Sequence, residues 1–189
     1  MARRARAAQP PAEATIHIHK SPGTRYRSTI ERADGVQVAL EGGSWNKIGG
    51  RPGRVPHDVA HYVVEQELAA HGGLWGILAR GGLVKNASFS GGKLPPHAEQ
   101  RAREITTASR DDLMRIEVMV RAVADASLAG TTDPTDLRRH ITDDRWWDPA
   151  LTADALARID ERLRDHASTW EALPAHDTLT LAWRTPAAR

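Results

Sequence analysis

The sequence predicts an α+β protein in which a small antiparallel sheet packs against several helices. Stretches of alternating polar and apolar residues lie near both ends of the chain, at residues 15–41 and 178–184. Between them, apolar residues recur about every 3.6 positions, which is typical of helices with one buried face. Because a strand that follows a run of helices must pair somewhere, we expect residues 178–184 to close the N-terminal sheet.

The N-terminal part of this sheet is predicted to be a meander of three strands. Two turn sequences, SPG and Asp34-Gly35, separate them. The strands span residues 15–20, 25–32 and 36–41. Since side chains alternate along a strand, the isoleucines of the first strand share one face, and His17 and His19 share the other. We expect the isoleucines in the core and the two histidines to be exposed rather than metal ligands.

Two helices separated by glycines are predicted in the middle of the chain. A glycine-rich loop, residues 42–54, leads into Pro56, which suits the first turn of a helix. This helix is expected to run to about His71, where the Gly72-Gly73 pair can end it. A short apolar helix and a second loop follow, at residues 74–80 and 86–96.

The second half of the chain is expected to be mostly helical. One long helix from His97 to about Leu128 carries an apolar stripe and ends at Gly130. The stripe consists of Ile105, Leu113, Ile116, Val120 and Val123. Two further helices begin after the N-cap residues Asp133 and Thr152.

Composition narrows the class of protein. The chain has 189 residues, of which 40% are apolar and 26% charged, so residues 14–184 are expected to form one α+β domain after a disordered tail, residues 1–13. The absence of cysteine excludes disulfides and thiolate metal sites and favours a cytoplasmic location. No apolar run approaches membrane-spanning length, so we do not expect a membrane partner.

The charge pattern argues against nucleic acid as a partner. Lysine and arginine number 26 against 24 acidic residues, and the two signs alternate along the predicted helices. A nucleic-acid binder needs a concentrated basic face. The arginines within residues 3–6 and 51–54 leave weak binding as an open alternative, and the oligomeric state is open as well.

The most chemically specific stretch is HDVAHYVVE, residues 57–65. His57, His61 and Glu65 are spaced four apart, so they form a row along one side of a helix. Two histidines at positions i and i+4 let both rings reach one tetrahedral ion, and Glu65 extends the row. We predict that these three residues bind zinc or another divalent metal, which would activate a water molecule.

HDVAH resembles the H-E-x-x-H helix of zinc metallopeptidases, with Asp58 in place of the glutamate that acts as general base. The resemblance covers five residues and implies that His57 and His61 are ligands and Asp58 is the catalytic base. Aspartate is one methylene shorter, and Val64 and Glu67 stand where the metzincin subgroup has its glycine and third ligand, so peptidase activity is not expected. The longer run PHDVAHYVVE, followed by GLWG, resembles small uncharacterised bacterial proteins of actinobacterial type, which implies kinship of fold.

Two other interpretations of the row remain open. It could be a structural hydrogen-bonded network, in which Asp58 favours the positive end of the helix and Glu65 pairs with His61. It could also perform metal-free acid–base chemistry through His61 and Glu65. The candidates to complete a site from a neighbouring element are His97, Glu99 and Glu104.

The sequence therefore favours a small metal-dependent hydrolase or lyase that acts on a small molecule. The alternative is a non-catalytic ligand-binding, protein-binding or regulatory module, with the row as a structural feature. In that case, Trp146 and Trp147 and the glycine-rich loops would form the binding surface. The glycines lack the spacing of a phosphate loop, and no serine lies in a G-x-S-x-G elbow.

Overall fold

A computed structural model of the protein describes residues 13–23, 25–41, 55–130, 133–141 and 143–184. Within these ranges, the protein combines one five-stranded antiparallel sheet with six α-helices. The strands are β1 (Glu13–Lys20), β2 (Tyr26–Glu31), β3 (Gln37–Leu40), β4 (Ala87–Gly91) and β5 (Thr178–Arg184). The helices are α1 (His57–Leu68), α2 (Leu74–Ala79), α3 (Ala98–Ala108), α4 (Arg110–Ala129), α5 (Pro134–His140) and α6 (Ala153–Ala172), with a 3₁₀ turn at Asp144–Trp146. The predicted α+β class is confirmed.

The strand order is β4-β3-β2-β1-β5, so the C-terminal strand closes the sheet beside β1 as predicted. The two strands pair antiparallel along their length, from Glu13 opposite Arg184 to His19 opposite Thr178. Strand β4 was predicted to lie in a loop, residues 86–96, because the glycine and proline residues that follow ASFSG favour a loop. It forms a strand at the other edge because β3 offers it a partner, with Phe89 opposite Val38.

One face of the sheet carries the core. Ile16, Ile18 and Trp183 are fully buried there, and α1, α4 and α6 contribute many further side chains to the same cluster. His17 and His19 lie on the opposite face, as predicted, but they are half-buried and not fully exposed, because their rings form hydrogen bonds with threonine hydroxyls of β5. The sheet and the helices thus form two layers.

Two helix boundaries differ from the prediction. Helix α1 ends at Leu68, with Ala69 in the left-handed conformation at φ 53°, and does not continue to His71. The long helix expected from His97 is two helices, which meet at Ser109 with φ −99° and ψ 5°. Ser109 is buried and accepts a hydrogen bond from Arg80, so a tertiary contact fixes the break.

Helices α5 and α6 begin where the sequence predicts. The N-caps are confirmed, because Asp133 accepts from the Thr135 backbone and Thr152 from the Ala155 backbone. Most of the predicted disordered tail and the loop at 42–54 lie outside the described residues, while Glu13 begins β1.

Within the described ranges, no helix combines the length and the apolar character needed to cross a membrane.

Removing the Trp183 side chain tests the closure of the sheet by β5. We expect Trp183→Ala to lower the free energy of unfolding by about 3–5 kcal/mol, because the indole is fully buried between the sheet and the helices. The control is Thr180→Ala on the outer face of the same strand, which should cost less than about 1 kcal/mol. Urea denaturation measures both, and equal costs would contradict this packing.

Candidate metal centre

Helices α1 and α4 bring three potential metal ligands together: His57, His61 and Glu117. The Nε2 atoms of the two histidines are 3.1 Å apart. Glu117 Oε2 lies 3.3 Å from the first of them and 3.4 Å from the second. The three atoms therefore form a nearly equilateral triangle, and these residues could hold a metal ion.

The size of this triangle matches metal coordination. Zinc lies about 2.0–2.1 Å from histidine nitrogen and about 2.0–2.2 Å from carboxylate oxygen, so tetrahedral ligands are separated by about 3.3–3.4 Å. Small side-chain shifts would place all three atoms at those separations. The side chains of His57 and Glu117 are 34% and 48% exposed, so one side of the triangle is open to solvent. An ion bound there could also hold a water molecule.

Glu65 lies behind His61 and is fully buried. Its Oε1 is 2.8 Å from His61 Nδ1, and its Oε2 accepts the backbone N–H groups of Trp75 at 3.0 Å and Gly76 at 3.2 Å. A Cβ at Gly73 would overlap this carboxyl group, so the glycine allows the start of α2 to approach it. Gly73 is thus required by this contact and not by the end of α1.

The contact with Glu65 determines how His61 presents its ring. A carboxylate only accepts hydrogen bonds, so Nδ1 carries the proton that it receives. In the neutral imidazole, Nε2 then has a free lone pair directed at the triangle. Carboxylates behind metal-binding histidines commonly fix the tautomer and the ring orientation in this way.

The electrostatics of the metal-free site couple His61 to two carboxylates. Burial alone would lower the pKa of His61, but its hydrogen bonds and charge interactions with Glu117 and Glu65 raise the pKa to about 10. Burial raises the pKa of Glu65, although His61 and the backbone donors oppose the shift. Burial would also raise the pKa of Glu117, but the two histidines hold it below its ordinary value.

Asp58 faces the sheet and not the triangle. Its Oδ2 accepts a hydrogen bond from Ser28 at 2.5 Å, and its Oδ1 accepts one from Tyr26 at 3.2 Å. The Trp75 indole N–H donates to the Asp58 carbonyl oxygen at 2.8 Å. Both carboxylate oxygens thus anchor α1 to β2, and this arrangement gives no support to the predicted role of Asp58 as a catalytic base.

The structure brings His57 and His61 together with Glu117, whereas Glu65 lies on the other side of the His61 ring. Glu65 contacts Nδ1 of His61, while Glu117 faces the Nε2 atoms, so Glu117 and not Glu65 belongs to the group that could hold a metal ion. Sequence reasoning missed Glu117: it is the one acidic residue between Asp112 and Asp125 and adjoins the apolar stripe, but this pattern does not identify its partners.

The remaining candidates from the sequence lie elsewhere. His97, Glu99 and Glu104 are exposed at the start of α3 and on its surface. Arginine guanidinium groups lie over both tryptophan rings. The guanidinium carbon is 5.5 Å from the ring centroid for Arg145 over Trp146 and 4.7 Å for Arg138 over Trp147. Among the described residues, no group of three or more histidine and acidic side chains other than His57, His61 and Glu117 could hold an ion.

Comparison with models of protein families, with curated proteins and with solved structures finds no match to this chain.

The pKa of His61 predicts that the metal-free protein loses stability in alkali. A folded-state pKa of about 10, above the ordinary 6.5, contributes stability that is complete below pH 6.5 and is lost as the pH rises through 10. We expect the free energy of unfolding to fall with a steady slope as the pH rises within this window, because the folded state keeps the proton that the unfolded state has lost. Urea denaturation in a chelator should show this slope for the wild type and not for His61→Gln. Parallel pH profiles for the two proteins would contradict the assignment.

Proposed function

We propose that this protein is a metal-dependent enzyme of the hydrolase or lyase type that acts on a small molecule. The observation that carries the proposal is the triangle of Nε2 and Oε2 atoms with edges of 3.1, 3.3 and 3.4 Å. Two histidines and one glutamate form a ligand set that catalytic zinc uses, with the fourth position left for water. Zinc is therefore the first ion to test.

The position of the triangle supports catalysis as well as binding. His61 is fully buried, which restrains the ring, whereas His57 and Glu117 are partly exposed, which gives a small substrate access to the ion. A zinc ion held by His57, His61 and Glu117 would lower the pKa of a bound water to about 7 and so would supply a nucleophile near neutral pH without a separate carboxylate base. Such a mechanism does not need Asp58, whose carboxylate is hydrogen-bonded to β2. Zinc itself, the reaction class and the cytoplasmic location stay predictions.

Zinc stoichiometry tests the ligand set. We expect one zinc per chain in the wild type, and loss of zinc in His57→Ala and Glu117→Ala, two variants that should fold because both side chains are partly exposed. Glu65→Gln should keep the stoichiometry but bind zinc about 10- to 100-fold more weakly, because the native Glu65 carboxylate orients the His61 ring without touching the ion. The measurements are elemental analysis of untagged protein and a zinc titration.

The matched control is Glu104→Gln on the exposed surface of α3, which should bind zinc like the wild type. Loss of zinc in Glu65→Gln with retention in Glu117→Ala would return the third ligand position to Glu65. A wild type whose zinc content and melting temperature do not respond to zinc would overturn the metal-dependent function.

An activated ester tests catalysis separately from binding. We expect the zinc-loaded protein to hydrolyse p-nitrophenyl acetate, with a rate that rises to a plateau above about pH 7 as the bound water ionises. Chelation and Glu117→Ala should both abolish this rate, and Glu104→Gln should retain it. Zinc binding without turnover would favour the binding or regulatory module instead.

A further inference from the structure

A cavity separate from the metal centre lies between the turn that joins β2 to β3, the end of α2, β4 and α3. Its volume is about 360 Å³, and it is lined by three arginines and a single acidic residue, Asp34. The arginines are Arg32, Arg80 and Arg101. The apolar part of the wall consists of Phe89, Pro95, Ala98 and Ile105. None of these residues belongs to the metal centre.

Two of the three guanidinium groups are held in place by the fold. Arg80 donates from Nε to the Gly76 carbonyl oxygen at 3.2 Å, and from one terminal nitrogen to the His71 carbonyl and the Ser109 hydroxyl. Arg32 pairs with Asp34, and its side chain is only 13% exposed. Fixed donors lose little conformational entropy when a ligand binds.

Gly81 makes room for the Arg32 guanidinium. The glycine has φ +99°, a conformation that side chains with a Cβ rarely adopt, and a Cβ there would lie 3.1 Å from a terminal nitrogen of Arg32. The backbone at the end of α2 thus packs directly under this charge and keeps it at the cavity wall.

The third guanidinium has no such support. Arg101 is exposed, and its side chain makes no hydrogen bond or ion pair within the part of the chain that the structure describes. Three positive charges and one negative charge leave the cavity with a surplus of two positive charges. Guanidinium groups bind phosphate oxygens in bidentate geometry, and a phosphate monoester carries a charge of about −1.5 to −2 at pH 7.

We propose that this cavity binds a small phosphate monoester with an apolar or aromatic body. The phosphate lies among Arg32, Arg80 and Arg101, and the body packs against Phe89 and Ile105. The cavity volume falls within the usual range for small-molecule sites. The site goes beyond the proposed metal-dependent function and does not depend on it.

Calorimetric titration with phenyl phosphate tests this site, with a chelator present so that no ion at the metal centre contributes. We expect phenyl phosphate to bind at least about tenfold more tightly than benzoate or inorganic phosphate, since each lacks one of the two complementary parts. Arg101→Gln should weaken the binding of phenyl phosphate by about tenfold or more.

The matched control is Arg103→Gln, which removes the same charge from the same helix. Arg103 lines a neighbouring pocket and lies 4.0 Å from Glu99, so this variant should bind phenyl phosphate like the wild type. Equal losses in the two variants would mean nonspecific attraction to surface charge and would overturn the site. Benzoate or inorganic phosphate binding as tightly as phenyl phosphate would overturn the proposed ligand class.

Discussion

The buried carboxylate of Glu65 is the constraint on which the candidate site depends. A fully buried charge is costly unless it is paired and hydrogen-bonded, and Glu65 is held by His61 and by the first backbone N–H groups of α2. This arrangement requires α1 to end early and the chain to reverse at Ala69, so that Gly73 can lie against the carboxyl group. The same contact that satisfies the charge also directs Nε2 of His61 towards Glu117.

The sheet fixes the opposite side of α1. Asp58 accepts hydrogen bonds from β2, while Tyr62 and Gln66 donate to backbone carbonyl oxygens of β5 at 3.3 and 2.8 Å. Strand β5 therefore does more than complete the core, because it holds the second half of α1 in register with the sheet. With α1 fixed on two sides, the row of histidines is presented to α4 as a rigid surface, which favours well-defined ligand geometry.

The residues of the site that share one helix could be predicted from sequence, whereas the residue that tertiary packing brings from another helix could not. His57 and His61 were found because a spacing of four residues is enough to align side chains on a helix. Glu117 lies 60 residues from His57, and its place depends on how α4 packs on α1. The same distinction applies to the fold, since alternation marked β5, whereas β4 and the break at Ser109 arise from contacts with β3 and Arg80.

The charges around the triangle would suit a divalent cation. Glu117 and Glu65 bring two negative charges to His61, one on each ring nitrogen. If both imidazoles are otherwise neutral and share one proton, the two histidines and two glutamates together carry a net charge of minus one. A divalent ion in place of that proton would bring the net charge to zero. Glu65 lies behind the ring and is fully buried, so water screens its charge little. The carboxylates that raise the pKa of His61 would therefore also stabilise a divalent ion bound in place of its proton.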